Sequence, residues 1–270
     1  MIRAVRWPAG GADDLIDAGF PIEDQRPPLV LIPTTAGSGS EATCFATVYH
    51  HGAKLSVDDP ALAADVSLVD ADLTRSCTPQ LTACAAFDAL AHTVESLWSR
   101  RATDESRAHA RRALALHGPW LAGPGRLDDT ARRALMAGAH WAGRAINISR
   151  TTAAHAFAYE LTIRYGIPHG LACLLNLTWL TRVNLAGPAA TRAVIAEVAA
   201  VLGTESEQLA DRFAALIRAH GWSPRLREHG VPRDELPGLA ERALRVVSRA
   251  GNNPLDLHPV TVLPYLTRAW

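Results

Sequence analysis

Apolar positions change their period near Thr78. Before that point they come in short runs. Leu29-Val30-Leu31-Ile32, bounded by Arg26-Pro27-Pro28 and Pro33, predicts a buried strand. Ala46-Thr47-Val48-Tyr49, Lys54-Leu55-Ser56-Val57 and Val66-Ser67-Leu68-Val69 predict further short strands. Thr78 is a good N-cap and Pro79 a good first helical residue, and residues 80–98 are Ala/Leu-rich with helical spacing. Helical spacing continues over roughly 103–117, 127–163, 188–202, 205–220 and 234–249. Breaks are expected at Gly118-Pro119, Gly123-Pro124-Gly125, Gly166 to Pro168 and Trp222-Ser223-Pro224. The expectation is an α/β piece over residues 1–77 followed by an all-α domain over 78–270.

Composition narrows the function classes. The chain has 270 residues, 48% of them hydrophobic, which is enough apolar material for a core of ordinary size. Its 27 basic and 27 acidic residues cancel, and the missing basic excess argues against nucleic acid or a membrane surface as partner. Cys44, Cys77, Cys84 and Cys173 form no CxxC pair, which suits reduced thiols in the cytoplasm. Lys54 is the only lysine in an arginine-rich chain. Codon preference would explain that, as would a position where a compact ammonium serves and a flat guanidinium does not.

Candidate chemistry lies in three stretches. The first is the Gly/Ser-rich turn Thr34–Glu41 after the first strand, where backbone N–H groups and hydroxyls can approach a bound anion or form a plain surface turn. The second is Asp88 and His92, four apart on an otherwise Ala, Leu and Val helix face. A carboxylate there is costly to bury alone, and either a metal ion or an Asp–His contact near the surface would resolve the cost. The third is Thr151–Gly170, with His155 among small and aromatic residues and His169 where a helix restarts after Gly166 and Pro168. We read Asp88, His92, His155 and His169 as one divalent-metal site, a ligand set that suits Fe(II) or Zn(II). His50, His51, His109, His117, His220 and His229 stand in polar or loop contexts and read as surface residues.

Together these stretches resemble the iron-containing (group III) alcohol dehydrogenases. Pro33-Thr34-Thr35-Ala36-Gly37-Ser38-Gly39-Ser40-Glu41-Ala42-Thr43 is similar to the family's PTTAGTGSEVT signature. Asp88-Ala89-Leu90-Ala91-His92 is similar to its DALxH ligand helix, and His155 with Pro168-His169-Gly170 stands at the spacing of its last metal histidines. The likeness runs from about residue 28 to the C-terminus. It implies the dehydroquinate synthase-like fold, a metal on Asp88, His92, His155 and His169, and cofactor contacts from Thr34, Thr35, Ser38, Thr43, Lys54 and Leu81. The reaction it implies is NAD(P)H-dependent reduction of an aldehyde, with a homodimer as the expected assembly.

A narrower resemblance concerns substrate. Ala142-Gly143-Arg144-Ala145-Ile146-Asn147 and Arg150-Thr151-Thr152-Ala153-Ala154-His155 are similar to the branch that reduces phosphonoacetaldehyde to 2-hydroxyethylphosphonate. A phosphonate dianion needs fixed positive charge, and Arg150 is the expected holder, with Arg164 a second candidate. Tyr159 stands where many family members place a histidine, so a proton relay there would use its phenol. The family's GGGSxxD pyrophosphate loop has no counterpart here. The expectation is an N-terminally shortened nucleotide-binding part with an apolar edge exposed.

Overall fold

The computed structural model describes residues 27–50, 53–122 and 126–270; within the hairpin, the side chains of residues 47–50 and 53–56 fall outside that description. The Thr78 hydroxyl accepts from the Leu81 N–H at 3.2 Å and Pro79 follows at the first helical position, so helix α1 starts where the sequence places it and runs Pro79–Trp98. From Ala86 to Trp98 every residue of α1 is buried, which makes it the axis of the helical part. Around it stand α2 (Asp104–Ala122), α3 (Asp129–Ser149), α4 (Ala153–Tyr165) and α5 (His169–Asn184). Further out lie α6 (Ala189–Val201), α7 (Leu209–Ala219), α8 (Leu236–Leu244), the short α9 (Val247–Ala250) and α10 (Pro259–Ala269).

Strands precede the helices as expected. β1 (Val30–Leu31) pairs in parallel with β4 (Val66–Ser67), and β2 (Phe45–His50) pairs antiparallel with β3 (Ala53–Asp58), Phe45 opposite Asp58 and His50 opposite Ala53. Val30, Ile32, Val66 and Leu68 are each about half exposed, so apolar surface is open at and just beyond these two strands. The loop after β1 is docked on the helices through glycines. A Cβ on Gly143 of α3 would stand 2.2 Å from the Gly39 carbonyl oxygen, and one on Gly39, at φ 59°, would stand 2.6 Å from the Gly143 Cα. That contact holds the Ser38–Thr43 turn against α3.

Several helix boundaries differ from expectation. The run 127–163 is broken between α3 and α4, with Arg150 at φ 59°, the one non-glycine with positive φ among the described residues. The Asn252 side chain holds this turn by donating to the carbonyls of Ser149 at 2.8 Å and Thr151 at 3.1 Å. α2 continues through Gly118-Pro119 to Ala122, because Pro119 forfeits one helix bond in an element already fixed by packing on α3. α5 and α10 have no counterpart in the reading by period. α5 is buried nearly all round and so shows no amphipathic alternation, and Pro259 and Pro264 interrupt the pattern of α10.

His117 corrects a surface assignment. It is fully buried between α2 and α3, with Nε2 against the Leu135 carbonyl at 3.2 Å. Burial pushes this imidazole down to about 4. The unfolded chain takes up the proton near pH 6.5 and the folded chain only near pH 4. Stability contributed by the neutral ring is therefore complete above about pH 6.5 and is lost as pH falls towards 4. His117→Leu is expected to reduce the stability difference between pH 7.5 and pH 5 by about 2 kcal/mol in urea titrations. An unchanged difference would show that the ring is not held neutral.

Candidate functional site

The four side chains singled out as metal ligands come from three helices and meet. Asp88 and His92 project from one face of α1, His155 from the first turn of α4, and His169 is the first residue of α5. From Asp88 Oδ1 the distances are 3.4 Å to His155 Nε2, 3.7 Å to His92 Nε2 and 3.8 Å to His169 Nε2. The His92 and His155 rings stack at 4.6 Å. These separations are long for hydrogen bonds, yet ligand atoms held about 2.1 Å from a tetrahedral ion lie about 3.4 Å apart. Among the described residues Nε2 of His155 is buried without a hydrogen-bond partner, a costly state that an ion would relieve. Burial pushes His92 down to about 4, so the ring is neutral at pH 7, the form a metal requires. The donors present fit a divalent transition metal.

Glu95 aims this cluster, and the sequence reading passed over it. Its carboxylate is fully buried on α1, seven residues after Asp88. Oε1 accepts from the N–H groups of Thr152 (3.0 Å), Ala154 (2.8 Å) and His155 (3.3 Å) and from the Thr152 hydroxyl (2.7 Å), so it caps the positive end of α4. Oε2 faces His155 Nδ1 in a short hydrogen bond. Burial alone would raise this carboxyl, but the His155 charge and the bonds from His155 and Thr152 hold it below the ordinary value. With Nδ1 committed to Glu95, Nε2 is the ring nitrogen left to face Asp88. The signal available in sequence was the 88/92/95 spacing on one apolar face.

Cys173 was also passed over. One turn after His169 on α5, its Sγ lies 3.7 Å from His169 Nε2 and 3.9 Å from Asp88 Oδ1. Asp88, His155, His169 and Cys173 each bring one donor atom within 4.8 Å of the others. The i, i+4 spacing from His169 was the clue.

A cavity of about 310 Å³ opens beside the cluster, lined by Asp88, His92, His155, His169, Tyr159 and Arg249 together with the loop residues Ser38 and Thr43. Tyr159 stacks on His169 at 5.5 Å. Burial pushes its phenol up to about 12, so at neutral pH it holds its proton. Of the expected cofactor residues, Ser38 and Thr43 reach this cavity, while Thr35 and Leu81 line a small neighbouring pocket. Thr34 is exposed on the same loop, and Lys54 lies on β3 with its side chain outside the described residues. Arg150 is placed differently from the expectation of an anion holder. Its guanidinium is committed to Asp58 at 2.7 Å and to the Asn147 carbonyl, lies over the Phe45 ring, and does not line the cavity. The positive φ at Arg150 turns the side chain outwards towards the hairpin. Arg164 pairs with Glu160 on the surface.

Comparison with known proteins gives the family. Residues 82–270 match the profile described as the Fe-containing alcohol dehydrogenase family, C-terminal, and residues 3–71 match that of iron-containing alcohol dehydrogenase. The chain belongs to the iron-containing alcohol dehydrogenase family. The likeness reaches residue 3, further than the motifs from residue 28 had marked. Among relatives in this family, the phosphonoacetaldehyde reductase of Streptomyces viridochromogenes is 35% identical over 224 residues, 77% of this chain and 57% of its own. The sulfoacetaldehyde reductase of Bilophila wadsworthia is 28% identical over 84% of this chain and 62% of its own. Solved structures of iron-containing alcohol dehydrogenase type share the fold. A 1,3-propanediol oxidoreductase superposes with TM-score 0.85 at 27% identity, covering 92% of this chain and 68% of that one. The sulfoacetaldehyde reductase of Bifidobacterium kashiwanohense in complex with NAD+ gives TM-score 0.85 at 25% identity, covering 96% and 69%. The chain thus spans 57–62% of the length of these two curated relatives.

Proposed function

We propose that this chain is the metal-binding catalytic portion of an NAD(P)H-linked aldehyde reductase, with phosphonoacetaldehyde as the substrate and 2-hydroxyethylphosphonate as the product. The observation that carries the reading is the convergence of Asp88, His92, His155 and His169, with the buried Nε2 of His155 lacking a hydrogen-bond partner among the described residues. Phosphonoacetaldehyde comes from the relative with 35% identity. Residues 78–270 form the metal-binding domain in this reading, and residues 1–77 belong to the nucleotide-binding part. The four unpaired cysteines accord with a reducing, cytoplasmic setting. Among the described residues no helix is long and apolar enough to cross a membrane.

Asp88, His92, His155 and His169 would hold Fe(II) or Zn(II). Bound there, the metal supplies Lewis-acid polarisation of a carbonyl oxygen, and the dihydronicotinamide supplies hydride. The residues of the chain do the rest. Glu95 fixes the His155 tautomer, and the Ser38–Thr43 turn presents hydroxyls to the cavity on the cofactor side. Phe45 and Ile146 line the wall with apolar surface that limits water. Tyr159, kept protonated at neutral pH, donates its phenolic proton to the oxygen that becomes the product hydroxyl.

Metal content tests the carrying observation. The chain purified without chelator is expected to hold about one metal ion per chain, and His155→Ala to hold almost none, by elemental analysis. A parent that stays empty after reconstitution with both Fe(II) and Zn(II) would sink the proposal. A loaded parent that quenches no NADH or NADPH fluorescence at millimolar cofactor would instead be a metal-binding piece without reductase activity.

A further inference from the structure

The cavity contains one guanidinium that no carboxylate among the described residues pairs with. Among the described residues lining it, Arg249 is the one fixed cation and Asp88 the one carboxylate. Arg249 stands on α9, which packs against α4, and it reaches the cavity with Nη1 2.5 Å from the Thr151 hydroxyl. Its Cζ lies 5.1 Å above the Tyr159 ring. Among the described residues no carboxylate pairs with it, whereas Arg150 pairs with Asp58, Arg164 with Glu160, and Arg242 with both Glu160 and Glu235. A guanidinium carries five N–H donors in a planar fork, and among the described residues that of Arg249 makes only the hydrogen bond to Thr151. The remaining edge suits a tetrahedral oxyanion, which it can meet with parallel N–H···O bonds.

Position adds to this. Tyr159 stacks on His169 and also lies under Arg249, so the gap between the cationic end and the metal cluster is bordered by one aromatic ring. A short aldehyde with a carbonyl at one end and a charged group at the other spans such a gap. Holding the charged end also orients the carbonyl, which lowers the entropic part of the barrier. Resting on the reductase reading above, we propose that Arg249, oriented by Thr151 and Tyr159, binds the anionic terminus of the substrate. The site would accordingly select two-carbon aldehydes ending in a phosphonate or a sulfonate over neutral aldehydes of the same size.

The test uses the product alcohols, so that binding is read without turnover. 2-Hydroxyethylphosphonate, 2-hydroxyethanesulfonate and neutral 1-propanol are titrated into the full Zn(II)-loaded chain by calorimetry. The comparison variants are Arg249→Met, Arg249→Lys and Arg150→Met, each checked for fold by circular dichroism. The parent is expected to prefer the anions, and Arg249→Met to weaken them about 10- to 100-fold while changing 1-propanol less than about twofold. Arg249→Lys should recover part of the loss, because charge remains but the fork does not. Phosphonate bound well above sulfonate would assign the site to the dianion, and the reverse order to the monoanion. The proposal is overturned if the parent shows no preference for anions, if Arg249→Met weakens all three alike, or if Arg150→Met removes the preference instead. A parent that binds anions through Arg249 yet turns over no aldehyde with NADH or NADPH would defeat the reductase reading and leave this assignment in place.

Discussion

Replacing Glu95 with alanine is expected to destabilise the chain by about 3–5 kcal/mol and to abolish metal retention. The carboxylate is fully buried and accepts from three backbone N–H groups at the start of α4, from the Thr152 hydroxyl and from His155 Nδ1. Alanine would strand those donors in the core, and an unpaired buried donor costs more than the bond itself contributed. Glu95→Gln separates the two consequences. An amide has nearly the same shape, so the fold should lose much less. However, one end of the glutamine side chain must now be a donor. If its NH2 faces His155, Nδ1 has to become the acceptor and the proton moves to Nε2, the atom that would ligate. If the NH2 faces the start of α4, it meets backbone N–H groups head on. Either way metal affinity is expected to fall about 10- to 100-fold. Urea denaturation gives the first quantity and metal-buffer titration the second. A Glu95→Ala chain within about 1 kcal/mol of the parent would show that the cap and the orienting bond are dispensable.

What could be read from sequence follows from which interactions are local. Asp88 and His92 are legible because a carboxylate and an imidazole at i, i+4 stand out on an apolar helix face. Thr78-Pro79 is legible because capping is decided within one turn. Glu95 looks like any helix glutamate until α4 is brought against it, and its partners lie about sixty residues away. Arg249 and Arg150 are indistinguishable as sequence, since which one faces the cavity depends on the turn at residue 150. That turn is fixed by Asn252, roughly a hundred residues downstream. The reading of 127–163 as one helix failed for the same reason, because a distant side chain sets the break. Only the start of α5 at His169 was legible, because burial on every face erases the period that would have given its length.

Gly170→Ala is expected to disable the site through packing alone. In isolation alanine favours a helix over glycine by about 1 kcal/mol, so a position in α5 would ordinarily gain from the change. Here a Cβ would lie 1.9 Å from the Cys84 carbonyl oxygen and 2.9 Å from the Asp88 amide nitrogen. Those neighbours are backbone of α1 and cannot rotate away. Relief requires α5 to move off α1 by about 1 Å or more, against a core close-packed along both helices. His169 precedes Gly170 and Asp88 sits directly opposite, so the movement widens the His169–Asp88 separation from its present 3.8 Å. We expect a net loss of about 3 kcal/mol in stability, beyond the gain in helix propensity, because overpacking against rigid backbone lies at the upper end of such costs. We also expect loss of the metal from a chain whose ligands are all still present. Stability by urea titration and metal stoichiometry on the same preparation decide it. A variant with raised stability and full metal would mean that α5 and α1 do not approach as closely as a shared metal centre requires.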